Sequence, residues 1–296
     1  MNTPAKPASS PDRPTVRAVV RRARGRPTSD GAGVRLTRVI GQPALGELDP
    51  FLLLDEFGTD RPEDYIAGFP DHPHRGFETV TYMLEGRMRH RDNHGHEGVL
   101  VPGSVQWMTA GRGIVHSEMP EQQAGRMRGF QLWINLPARD KMTAPRYQEF
   151  DPDRIPEIEV ADARGGRARV KVIAGRVDDT QGPIAQPATD PLYLDVALDA
   201  GVTFATTLPA QHAAFVYVYD GVVRVGADAA DEIRAPELAV LGPGERIALD
   251  GRAAGSRAII VAGRPLGEPV ARYGPFVMNT RAEITQAFED LRAGRF

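Results

Sequence analysis

The chain has no cysteine, which excludes disulfides, a thiolate nucleophile, iron–sulfur clusters and cysteine-type zinc sites. Any metal must be held by histidine and carboxylate. Lysine is nearly missing too, present only at Lys6, Lys141 and Lys171, so arginine supplies most of the positive charge and a lysine Schiff base has few candidates. Charge of one sign is also lacking, since 36 Lys and Arg stand against 39 Asp and Glu for a formal charge of −3. That balance argues against nucleic acid or an acidic membrane as the main partner. No apolar run approaches the roughly 20 residues that span a bilayer, and no stretch of signal-peptide type opens the sequence. A cytoplasmic protein without a membrane partner is therefore expected.

What is present suits a globular chain. At roughly 150 residues per domain, 296 residues suggest about two domains, and 41% hydrophobic residues can fill both cores. Residues 1–33 are punctuated by five prolines from Pro4 to Pro27 and carry a cluster at Arg21, Arg22, Arg24 and Arg26. Such a composition has no apolar face, so a flexible N-terminal arm is expected.

From Val34 onward, short apolar runs alternate with Gly, Pro, Asp and Asn turns about every ten residues, the pattern of an all-β chain of sandwiches or barrels. Val80, Tyr82 and Leu84 alternate with Thr79, Thr81 and Met83 before a turn at Glu85-Gly86. The segment Tyr82–Gly86 is echoed by Tyr217–Gly221, and Pro102-Gly103 by Pro243-Gly244, which suggests two duplicated β-barrels. The proline-rich, charged stretch 141–165 suits a connection between a first barrel at 34–140 and a second at 166–296. The chain ends in one convincing helix, with a capping box at Thr280 and Glu283, a face of Ile284, Phe288 and Leu291, and a stop at Gly294.

Five of the seven histidines fall between positions 72 and 96, and His116 follows. His72-Pro73-His74 and His116-Ser117-Glu118 are both ligand-x-ligand pairs, and the two-residue period of a strand puts both members of each on one face. Each pair can chelate one ion. With no bulge, His72 and His74 share parity with Val80 and Tyr82 and point to the same apolar interior. Three histidines and a carboxylate suit an open, non-haem Fe(II) site, although Mn, Ni, Cu and Zn accept the same ligands. Four protein ligands leave about two octahedral positions vacant, which favours catalysis. The carboxylate remains open between Glu78 and Glu118, with Glu118 preferred for its spacing from His116 and Glu78 left as a supporting partner. The cluster Asn93–Glu97 is expected to be a solvated hairpin tip. Equivalent offsets in the second half land on Thr207, Pro209, Arg257 and Ile259, so no ligands are expected there, and His212 is expected to be an ordinary packed or surface residue.

The segment His72-Pro73-His74-Arg75-Gly76-Phe77-Glu78 resembles the first cupin motif, and more closely the pirin family. Further matches are Asp49–Phe57, Gln106–Glu118 and Gly274–Thr280, so the resemblance runs from about residue 34 to the end. It implies a bicupin in which only the N-terminal barrel holds iron, through His72, His74, His116 and Glu118. It also implies one of two roles: a quercetin 2,3-dioxygenase acting on a flavonol with dioxygen, or an iron-dependent, redox-sensing regulator that binds a protein partner without turnover. For an enzyme, an aromatic or enediol substrate would chelate the ion through adjacent oxygens, and Glu118 would take the hydroxyl proton.

Overall fold

The computed structural model describes residues 14–226 and 231–296. The fold is all-β with one C-terminal helix, and it consists of two barrels of the same topology. In the first, a seven-stranded sheet runs in the order Arg146–Phe150, Val105–Thr109, Phe77–Glu85, Met127–Asn135, Phe51–Thr59, Val34–Ile40 and Arg26–Asp30. A four-stranded sheet of Phe69–His74, Ile114–Pro120, Met88–Asp92 and Glu97–Leu100 closes it.

The second barrel repeats this order position by position. Its large sheet runs Val19–Arg24, Glu237–Leu241, Ala213–Asp220, Ser256–Gly263, Leu192–Leu198, Arg167–Ala174 and Glu157–Ala161. Its small sheet is Thr203–Thr207, Arg246–Gly251, Val222–Val225 and Asp231–Arg234. The strand carrying His72 and His74 thus corresponds to Thr203–Thr207, where Phe204 is packed into the apolar core together with Ile247 and Leu249 of the neighbouring strand. That interior is filled with hydrocarbon where the first barrel holds imidazoles.

The two large sheets face each other. Val80, Tyr82, Phe130 and Leu132 from one pack against Tyr193, Phe215, Tyr217 and Ile259 from the other. Each fully buried side chain of this kind contributes about 1.5–3 kcal/mol. Within this apolar layer Asp195 accepts from Tyr82 Oη at 2.7 Å, Tyr219 Oη at 2.5 Å and Arg257 Nη2 at 2.7 Å. Arg128 similarly joins Glu56 to Asp220, with nitrogen–oxygen distances of 2.8 and 2.9 Å. Pairing spares Asp195 and Arg128 the larger penalty of an uncompensated buried charge.

Two expectations need correction. Residues 1–33 are not a free arm over their described length, because Val19–Arg24 is the edge strand of the second barrel and Arg26–Asp30 the edge strand of the first. An edge strand is held by backbone pairing and needs no continuous apolar face; in Val19–Arg24 only Ala23 is buried. Residues 1–13 lie outside the described residues. The stretch 141–165 is likewise not a free connection, since Arg146–Phe150 pairs within the first barrel and Glu157–Ala161 within the second. The passage without sheet pairing narrows to residues 151–156. The C-terminal helix, Arg281–Arg292, carries the capping box of Thr280 and Glu283 and buries Ile284 and Ala287.

Candidate metal centre

The alternation of Phe69–His74 turns His72 and His74 to one side, and antiparallel pairing sets His116 directly opposite His72. Coordinating atoms of the three rings lie within 4.8 Å of one another. Ring centroids are 4.4 Å apart for His72 and His116, 4.7 Å for His72 and His74, and 5.1 Å for His74 and His116. His74 and His116 are buried, and burial together with the neighbouring imidazoles pushes both well below the ordinary histidine range. Both rings are therefore neutral, with a lone pair to offer.

The hydrogen bonding of these rings fits a metal. Neither nitrogen of His116 has a hydrogen-bond partner, nor does Nδ1 of His74. An unpaired buried nitrogen costs about 1–3 kcal/mol, and coordination would remove that cost for one nitrogen of each ring. His72 Nδ1 lies 2.8 Å from the Pro70 carbonyl. Donation there fixes the tautomer and leaves Nε2 free for an ion.

Of the two carboxylates, only Glu118 lines the same cavity as His72 and His74. It is buried, accepts from Gln131 Nε2 at 3.0 and 3.2 Å and from Thr81 Oγ1 at 3.1 Å, and stands outside the 4.8 Å group of the three rings. Glu78 faces the other way. It accepts from Thr109 Oγ1 at 2.6 Å and Gln186 Nε2 at 2.5 Å, and burial pushes its pKa up.

The parity expectation fails here for a reason that also explains Glu78. Between His74 and Phe77 the chain turns at Gly76, φ +86°, and passes from the small sheet to the large one. Parity is not carried across that corner. Thr81 opposes Gln131 on the cavity side, while Val80 and Tyr82 oppose Leu132 and Phe130 on the side facing the second barrel, and Glu78 lies in phase with the latter.

The cavity above the histidines measures about 590 Å³. Leu36, Phe57, Met88 and Trp133 supply apolar wall, and Arg38, Asp55 and Arg272 supply charge. Arg38 holds Asp55 through two bonds of 2.9 and 2.7 Å and also reaches Asp30 at 2.7 Å. The Arg272 guanidinium sits 4.8 Å from the centre of the Trp133 ring.

The Pirin model matches residues 33–134 and the Pirin C-terminal cupin domain model residues 193–296. The chain belongs to the pirin family. A pirin-like protein of Caulobacter vibrioides is 56% identical over 282 residues, covering 95% of this chain and 99% of its own. Human pirin is 45% identical over 272 residues, covering 90% of this chain and 89% of its own. A crystal structure of quercetin 2,3-dioxygenase from Acinetobacter baumannii superposes with a TM-score of 0.86 at 32% identity, covering 95% of this chain and 99% of that one.

Several lining residues of this pirin-family cavity were not anticipated. Asp30, Gly31 and Ala32 come from the supposed arm, and Arg272, Gly274 and Pro275 from the end of the chain. The Gly274–Thr280 motif marked the second group, but nothing in its sequence shows that it folds back over the first barrel. Among the described residues no helix is long and apolar enough to cross a membrane.

Proposed function

We propose that the chain is a metal-dependent dioxygenase of quercetin 2,3-dioxygenase type, acting on a flavonol or a related aromatic enediol. The observation that carries this reading is the cavity itself: His72, His74 and Glu118 line a space of about 590 Å³ with aromatic and aliphatic walls, and His116 converges on the two histidines. That volume lies within the range of small-molecule sites. The name and the 32% identity of the Acinetobacter baumannii structure support the same activity.

His72, His74 and His116, with Glu118 as fourth donor, would hold Fe(II), and the same donors accept Mn, Ni, Cu or Zn. The bound ion supplies a Lewis-acidic centre for dioxygen and for adjacent substrate oxygens. The chain's own residues do the rest. Trp133, Phe57 and Leu36 receive the aromatic rings and exclude water. Glu118, held by Gln131 and Thr81, takes the proton of the substrate hydroxyl. Arg38 and Arg272 offer positive charge to phenolate oxygens at the cavity wall.

Oxygen uptake with quercetin and a panel of enediols tests the proposal, together with metal content of His72→Ala and His116→Ala. Expected are metal-dependent uptake by wild type, loss of the ion in the histidine variants and loss of turnover in Glu118→Gln. Uptake no greater than that of free metal with every substrate would overturn the enzyme reading in favour of partner binding without turnover.

A further inference from the structure

A second group of metal-ligating side chains lies in the first barrel, apart from the three histidines already described. Coordinating atoms of His90, His96 and Glu149 lie within 4.8 Å of one another. His90 is on Met88–Asp92 of the small sheet, and Glu149 is on Arg146–Phe150, the edge of the large one. The turn expected to be a solvated tip is split: His94 is exposed, whereas His96 stacks on Tyr147 with ring centroids 4.1 Å apart.

The contacts within this group are close but are not well-formed hydrogen bonds. His90 Nε2 lies 2.7 Å from one oxygen of Glu149 and His96 Nε2 3.1 Å from the other, yet neither nitrogen has a partner of hydrogen-bond geometry. His90 is only 1% exposed. Glu149 also accepts from the Gln106 amide.

Gly98 adds a second observation. It stands opposite His90 on the neighbouring strand, and a Cβ there would come within 2.7 Å of His90 Nε2 and 3.5 Å of Glu149. Its φ is not in the left-handed region, so no backbone conformation demands glycine. What the missing side chain leaves is room directly beside the ring nitrogen.

We propose that His90, His96 and Glu149 form a second site for a divalent transition-metal ion of the zinc class. Two imidazoles and a carboxylate suit such ions. Bonds of about 2.0–2.1 Å in a tetrahedron set donor atoms about 3.3 Å apart, so the observed 2.7 and 3.1 Å separations need to open only slightly. His96 and Glu149 keep side-chain exposures of 35% and 26%, giving the ion a way in. Once bound, it would clasp the edge of the large sheet to the small sheet, where Tyr147 Oη already donates to Asp92 at 2.9 Å.

Titration of the metal-free full chain with Co(II), followed by visible absorption and equilibrium dialysis, tests this. Wild type should take two equivalents, and His96→Ala and Gly98→Ala one each, with circular dichroism unchanged. His72→Ala should also retain one. One equivalent in wild type that disappears in His72→Ala would overturn the second site, as would two equivalents in His96→Ala. Two equivalents in His72→Ala with one in His96→Ala would support the second site and count against the first.

Discussion

Arg75 and Asp290, 215 positions apart, meet at 2.6 Å and fasten the C-terminal helix to the turn directly after His74. The Arg75 side chain is only 3% exposed, donates from Nε to the Arg112 carbonyl at 2.5 Å and lies 4.3 Å from the centre of the Phe296 ring. Arg75, Arg295 and Gln286 hold the Asp290 carboxyl well below the usual carboxylate range. Replacing Asp290 with Asn should leave a buried guanidinium short of its counter-charge, at a cost of about 1–3 kcal/mol. Thermal unfolding and limited proteolysis of the last turns measure it, with earlier cleavage in the variant expected.

Glu118 depends on Gln131, whose amide reaches both of its oxygens. If Glu118 serves the ion, Gln131→Leu should weaken metal binding roughly 10–100-fold, the usual effect of removing a partner that orients a ligand. Thr81→Val removes a single donor and should do less. Competition with a chelator ranks the three proteins.

Lys141 sets a pH dependence. It is 1% exposed, donates to the Gly76 and Val277 carbonyls and to Asn135 Oδ1, and is pushed by burial down to about 8 from 10.5. Below pH 8 the folded state carries a buried charge that the unfolded chain hydrates freely. As pH rises from about 8 toward 10.5, the unfolded chain binds the extra proton, so folding gains stability. Wild type should gain about 1–3 kcal/mol relative to Lys141→Met over that range. Denaturant unfolding at about pH 7 and about pH 9, roughly one unit either side of the onset, reads it, and a flat difference would contradict the buried ammonium.

The N-terminal segment should not be dispensable. Arg17 is 1% exposed and donates to the carbonyls of Gly244, His212, Pro209 and Ala210 in the second barrel, at 2.7 to 3.1 Å. Arg17→Ala leaves those acceptors unpaired and should cost about 2–4 kcal/mol. Deleting residues 1–33 removes the edge strand of both large sheets and should lower the melting temperature by ten degrees or more, about 6 kcal/mol at this chain length.

Much of the site was legible because strand geometry is local. His72 with His74, and His116 with Glu118, show their common faces through two-residue spacing alone, and the capping box of Thr280 and Glu283 spans one helical turn. The alternation in Phe77–Glu85 also identified its two faces. It did not say which one met the three histidines, because the Gly76 corner transfers the chain between sheets and resets the phase.

By itself the sequence determined the all-β class, the duplication, the helix and the histidines that gather, since each follows from a short-range period or a motif. Tertiary structure alone decided that Glu118 and not Glu78 looks into the cavity, and that Asp30 and Arg272 wall it. It alone brought Glu149 to His90 and His96, and carried Val19–Arg24 across to the second barrel. These are pairings between segments distant in the chain, and an edge strand or a cavity wall is held by backbone bonds and neighbours that leave no periodic mark on its own residues.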